Sequence, residues 1–144
     1  MTGVLLVLTN PYAYHKALDW AIEQTKETDT ALKVVFAIDS DAVAAMVREL
    51  GEKGWLGQGP RRSLEASMLE GYRALAADIL EEVLSLCTAA GVQVEETDVK
   101  EAPLMAYLEA LLKQETRTVC LSGSESVSPA IANMSAGLKW IQED

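Results

Sequence analysis

Val4-Leu5-Leu6-Val7-Leu8-Thr9-Asn10-Pro11 decides the fold class: five aliphatic residues in succession, closed by a polar pair and a proline. A strand wetted on one face alternates apolar with polar, whereas an unbroken apolar run fits a strand covered on both faces of a parallel sheet. Leu32 to Ile38 (LKVVFAI) is nearly a second such run. Between them Asn10 and Pro11 offer a helix cap and a first-turn proline, and Ala17, Leu18, Ala21 and Ile22 fall on one helical face. The unit reads strand, helix, strand, with a connection long enough for a right-handed parallel crossover.

Downstream the alternation continues. Asp41 to Leu50 reads as a short helix, and Gly51 to Pro60 as a mobile loop, since glycine recurs at 51, 54, 57 and 59 before a proline. From Ser63, the spacing of Met68, Tyr72, Leu75, Ile79, Val83 and Leu86 predicts one long helix closing at Ala90-Gly91, with the glycine as C-terminal cap. Val92 and Val94 alternate with Gln93 and Glu95, as an edge strand does. Pro103 restarts a helix in which Leu104, Tyr107, Leu108, Leu111 and Leu112 share a face, and Thr118 to Leu121 supplies a fourth strand. Ser128 and Pro129 open an expected last helix carrying Ile131, Met134, Leu138 and Ile141. The expectation is one α/β domain over residues 1–144: an open doubly wound parallel sheet of order 3-2-1-4 in a three-layer sandwich.

Charge and composition narrow the function classes. The 144 residues carry 12 Lys plus Arg against 22 Asp plus Glu, a formal charge of -10, so a broad field attracting nucleic acid or an anionic membrane is not expected. The apolar run at Val4 is far shorter than the roughly 20 residues that span a bilayer, and no basic segment or cleavage signal accompanies it, which points to a cytoplasmic protein. Cys87 and Cys120 lie far apart and outside any C-x-x-C pair, so both are expected as buried thiols.

In an open sheet of this order the first and fourth strands are neighbours, and ligands bind outside the carboxyl ends of strands at that switch point. Thr9 and Asn10 would then face Ser122-Gly-Ser-Glu-Ser-Val-Ser128. Serine hydroxyls and backbone N–H groups leading into a helix could hold a phosphate, while the plainer reading is a polar loop that caps its helix and sets Glu125 where a phosphate would sit. His15, the single histidine, has no second ligand or nucleophile in sequence context and reads as a surface residue. Trp55 with Arg61 or Arg62 could close over an anion, but the glycine loop lacks the Lys-Ser/Thr ending of a phosphate loop and reads first as a connection. Glu81-Glu82 and Glu95-Glu96 are adjacent and point apart, as solvated carboxylates do.

The order of elements, the run Val4 to Asn10 followed by Lys16-Ala-Leu-Asp-Trp-Ala21, and Leu80-Glu-Glu through Ala90-Gly-Val-Gln-Val94 together resemble the universal stress protein family over most of the chain. The resemblance implies a sheet of order 3-2-1-4-5, related to the adenine nucleotide alpha hydrolase group, in which many members bind ATP and others do not. Nucleotide-binding members carry an Asp after the first strand, where this chain has Asn10. After the fourth strand they carry a glycine, two residues, a second glycine, nine residues, then Gly with Ser or Thr. Gly123 matches the first glycine, Ser126 stands at the second, and Ala136-Gly137 falls at the closing pair with Gly137 one place late. Serine in place of glycine hinders close backbone approach to phosphates. Phe36-Ala-Ile-Asp39 resembles the segment whose backbone touches adenine, which carries over Ala37. Family members end in a fifth strand that often pairs subunits. This chain is read as ending without one, so a homodimer is expected only through a non-family interface, with Trp140 and Ile141 covering the fourth strand.

The ligand-binding candidates are therefore Thr9, Asn10, Ala37, Gly123, Ser124, Ser126 and Gly137, with no catalytic residue, no metal and no required cofactor; ATP or AMP is the ligand expected if a nucleotide binds. The first functional expectation is a non-enzymatic stress-response or regulatory protein acting through contacts with a protein partner, its ATP binding weakened or lost. The second is a nucleotide sensor holding ATP or AMP between Asn10 and the serine loop.

Overall fold

A computed structural model describes residues 3–52, 58–123 and 138–143, with the side chains of 58, 59 and 142 left out. The chain runs β1 (Val4–Leu8), α1 (His15–Thr28), β2 (Leu32–Asp39), α2 (Ser40–Glu52), α3 (Gln58–Ala89), β3 (Val94–Ala102), α4 (Leu104–Gln114), β4 (Thr118–Gly123) and β5 (Leu138–Gln142). All strands are parallel, in the order β3-β2-β1-β4-β5.

The aliphatic run at β1 lies at the centre, with every residue buried, and pairs with β2 from Val4↔Leu32 and with β4 from Val4↔Thr118. Alternate residues feed two cores. Leu6, Leu8, Val34 and Phe36 pack under α1 and α3 with Leu18, Ala76 and Val83. Leu5, Val7, Val35 and Ala37 pack under α4 with Leu104 and Leu108. Because each residue of β1 meets one layer or the other, no polar position is tolerated along it.

Four expectations change. The sheet has five strands, not four: Leu138 and Ile141, read as part of a last helix, belong to β5, where Leu138 pairs with Val119 and Ile141 with Ser122. The three-residue step between them satisfies a helical period by coincidence; pairing with the open side of β4, which would otherwise leave its backbone groups unsatisfied, decides the matter. The other residues assigned to that helix, Ser128, Pro129, Ile131 and Met134, lie outside the described residues. Second, Asn10 does not cap α1. Its Oδ1 accepts the N–H of Tyr12 at 2.9 Å, a local turn, and the helix starts later, at His15. Third, α3 buries Ala76, Leu80, Val83 and Cys87 most deeply, with Tyr72 and Ile79 of the expected stripe packed against that core, while Leu86, expected to join them, is 38% exposed. Fourth, Gly51 closes α2 and Pro60 lies inside α3, so the glycine-rich stretch is largely helical at both ends; residues 53–57, Trp55 among them, lie outside the described residues.

The long helix ends as expected: Gly91 has φ +78, and the N–H of Val92 returns to the carbonyl of Cys87. Cys87 and Cys120 are free and buried. Among the described residues no helix is long and apolar enough to cross a membrane.

Candidate functional site

The carboxyl ends of β1, β2 and β4 meet as the strand order requires. Thr9 follows β1 directly, and its hydroxyl donates to the carbonyl of Ser122 at 2.6 Å, tying β1 to the end of β4. Gly123, the next residue, is buried and pairs with Gln142. Asn10 is exposed beside them. The structure thus brings Thr9, Asn10 and Gly123 together at the switch point. Ser124, Ser126 and Gly137 lie outside the described residues.

The polar groups behind this crevice are satisfied from within the chain. Ser122 is fully buried, and its hydroxyl lies 3.5 Å from the Ala13 carbonyl and 3.3 Å from Glu143 Oε1. Glu143, just past β5, accepts the N–H of Ala17 at 2.7 Å on Oε1 and of Lys16 at 3.1 Å on Oε2. Those amides are among the four that the first turn of α1 leaves without helical partners, and a carboxylate there is further favoured by the helix dipole. An anion position at the start of α1 is therefore occupied by the protein's own side chain.

Beside it opens a cleft of about 130 Å³, walled by Thr9, by Phe36, Ala37 and Asp39 of β2, by Met46 of α2 and by Tyr72 of α3. Ala37, carried over from the resemblance, does line it. Asp39 is its one charged residue among the described residues. That carboxylate is engaged: Oδ1 accepts the N–H groups of Asp41 at 3.2 Å, Ala42 at 3.4 Å and Leu104 at 3.3 Å, so it caps α2 and fixes the start of α4 at once.

Other candidates resolve as structure. The His15 ring stacks on Tyr14 at 4.5 Å and sits 3.8 Å from Glu82, its side chain 64% exposed. Burial, with help from Glu82, pushes the Tyr14 phenol up to about 12. Burial likewise lifts Cys87 to about 11 and Cys120 to about 12, the latter aided by the charge of Glu143, so both thiols stay protonated at neutral pH. The side chain of Arg61 lies over Gly51, where an added Cβ would collide with the guanidinium, and its Nε is buried without a hydrogen-bond partner among the described residues. Among the described residues no group of three acidic, histidine or cysteine side chains could hold a metal ion.

Sequence reasoning missed Asp39 and Glu143. An acid at the last position of a strand, directly before Ser40, is a helix-capping signal that could have found Asp39. Nothing local marks Glu143, because its partners lie more than a hundred residues earlier.

No family model matches the chain, and no curated protein matches it. Solved structures do. A universal stress protein family protein from Burkholderia pseudomallei superposes with a TM-score of 0.66 at 17% identity, covering 96% of this chain and 95% of that one. The hypothetical protein MJ0577, whose biochemical function was assigned from its structure, superposes with 0.66 at 11% identity, covering 100% and 98%. A universal stress protein solved in complex with cAMP superposes with 0.55 at 16% identity, covering 99% and 98%. The chain has the fold of the universal stress proteins, with a fifth strand where the sequence was read as ending without one.

Proposed function

We propose that this is a universal stress protein-like regulatory protein of the cytoplasm, acting mainly through protein contacts, in which ATP binding is weakened or lost. The observation that carries the reading is the self-occupied crevice: Glu143 takes the free amides of α1, and the Thr9 and Ser122 hydroxyls are spent on contacts within the chain. Two facts support it. The neighbouring cleft, about 130 Å³, falls below the roughly 300–1,000 Å³ of ordinary small-molecule sites, and among the described residues its only charged wall is a carboxylate. Ser126 also replaces the second glycine of the family's phosphate motif.

Calorimetric titration with ATP, AMP and cAMP, with and without magnesium, tests the proposal. Silence at millimolar ligand is expected, and micromolar binding would overturn it in favour of the second reading, a nucleotide sensor. That second reading draws on Ala37 lining the cleft beside Thr9, and on the neighbouring structure that holds cAMP. Homodimerisation belongs to the first proposal, although its original motive, an uncovered β4, is removed by β5. Sedimentation at the mass of one chain across all concentrations would eliminate it.

A further inference from the structure

A groove of about 450 Å³ lies on the outer side of α3, lined by Tyr12, Met68, Gly71, Tyr72 and Leu75. Tyr12 is 79% exposed, yet its backbone is fixed: its N–H donates to Asn10 Oδ1 at 2.9 Å, in the turn that follows β1. Along α3, Leu64, Met68, Gly71, Leu75, Asp78 and Glu82 recur at steps of three and four and so share one face. Ala76, Leu80 and Val83 take the other side, in the core. Glycine is among the poorest helix formers, and Gly71 stands near the middle of a 32-residue helix. Crowding does not demand it, since a Cβ added there would meet no described atom within 4 Å. The space it leaves opens outward, between Met68, Leu75 and Tyr12.

The charges on this face are uneven along the helix. Asp78 and Glu82 fall in its second half, whereas its first turn carries no acid. Pro60, in that first turn, and Glu82 stand at equal sequence distances on either side of Gly71. Two copies crossing antiparallel at Gly71 therefore set Glu82 of each beside the first turn of α3 in the other, where free amides and the helix dipole favour a carboxylate. The two Asp78 side chains then stand about 21 Å apart at about 1.5 Å of rise per residue, well beyond the roughly 8 Å screening length of physiological salt. A parallel crossing would instead press Asp78 against Asp78. The face is complementary to itself in one direction only.

We propose that this face of α3, together with Tyr12, is the surface through which two copies of the chain associate, antiparallel about a two-fold axis at Gly71. Tyr12 and Met68 of each copy fill the groove of the other, and the facing glycines let the two helices approach closely. A contact confined to one helix and one turn falls at the small end of specific interfaces, so the dimer forms and dissolves with concentration. The inference rests on the homodimer within the proposed function and gives it a surface.

Sedimentation of the whole chain from low micromolar to near-millimolar concentration tests it. A reversible monomer–dimer equilibrium is expected. Gly71→Gln, which fills the groove, should weaken it at least about tenfold, and Tyr12→Ser by about tenfold. Ala77→Gln, an exposed position of α3 on the flank toward β3, should leave it within about twofold of the parent. Asp78→Asn should weaken it slightly, because a carboxylate near the other copy's helix start is lost. Circular dichroism checks each fold: Gly71→Gln places a better helix former in open space, and Tyr12 lies outside every helix and strand. A single species of one-chain mass at every concentration overturns both this surface and the homodimer. A dimer indifferent to Gly71→Gln and Tyr12→Ser overturns the surface alone and leaves the homodimer standing. Equal weakening by Ala77→Gln, or tightening by Asp78→Asn, also overturns it, the first by removing the face and the second by reversing the helix direction. The nucleotide titration is independent of all four results.

Discussion

β3 and β5 both stand at an edge of the sheet, yet β3 runs nine residues with most of its carboxylates in ion pairs, whereas β5 runs five and is fastened through Glu143 to the start of α1. The β5 side turns Leu138 and Trp140 into the core under α4 and packs Ile141 against the opposite one. The β3 side relies on Val94 and Val99 alone for such packing and leaves its remaining side chains largely in water. One edge is held by burial and a half-buried polar clasp. The other is held by its pairing with β2 and a rim of exposed charge, which contributes less per interaction. Sequence distance explains why: β5 must be anchored to elements more than a hundred residues away, while β3 follows α3 directly.

The sharpest way to break this contrast is at Trp140. Trp140→Ala should lower stability by about 3 kcal/mol, the low end for removing a large aromatic from a core, measured by chemical denaturation. Trp140→Phe should cost less than about 1 kcal/mol, because the buried indole N–H has no hydrogen-bond partner among the described residues and most of the packed ring is kept. Equal costs for the two substitutions would show that the indole N–H, not the packed ring, holds β5.

Glu143→Ala comes next. Losing a capping carboxylate should cost about 1 kcal/mol and speed hydrogen exchange at the Lys16 and Ala17 amides, with Glu143→Gln intermediate because it keeps an acceptor but no charge. Unchanged exchange at those two amides would remove the clasp from the account.

The smallest effect is expected on the β3 side. Burial raises the Glu115 carboxyl, but hydrogen bonds from the Arg117 backbone N–H and side chain outweigh it, so the group sits below its ordinary value. A lowered carboxylate contributes stability above its unfolded pKa and loses it as pH falls through the folded one. Arg117→Ala, which also frees Glu95, should therefore cost less than about 1 kcal/mol at neutral pH and flatten the acid-side loss of stability. A melting temperature whose acid limb is unchanged by the substitution would show that the pair is ornamental.

Much of this architecture was legible. The unbroken run at Val4 and its near repeat at Leu32 specify central strands because only a doubly covered strand excludes polar residues, and the adjacency of β1 and β4 followed from that placement. Thr9 follows the end of β1 for the same reason, whereas Ala37 came from the family resemblance; the two line one cleft. The tail was misread because Leu138 and Ile141 satisfy a helical spacing as well as a strand, and a five-residue segment with a lysine in its middle carries too little pattern to choose.

By itself, then, the sequence determined which segments must be hidden on both faces, where helices intervene and what net charge the surface bears, since hydrophobic period and charge are local properties of the chain. Tertiary structure alone decided that the open side of β4 recruits β5 and that Glu143 fills the first turn of α1. Each of these depends on groups far apart in sequence meeting in space, and the partner of a free amide or an open strand edge becomes visible only once every segment has a position.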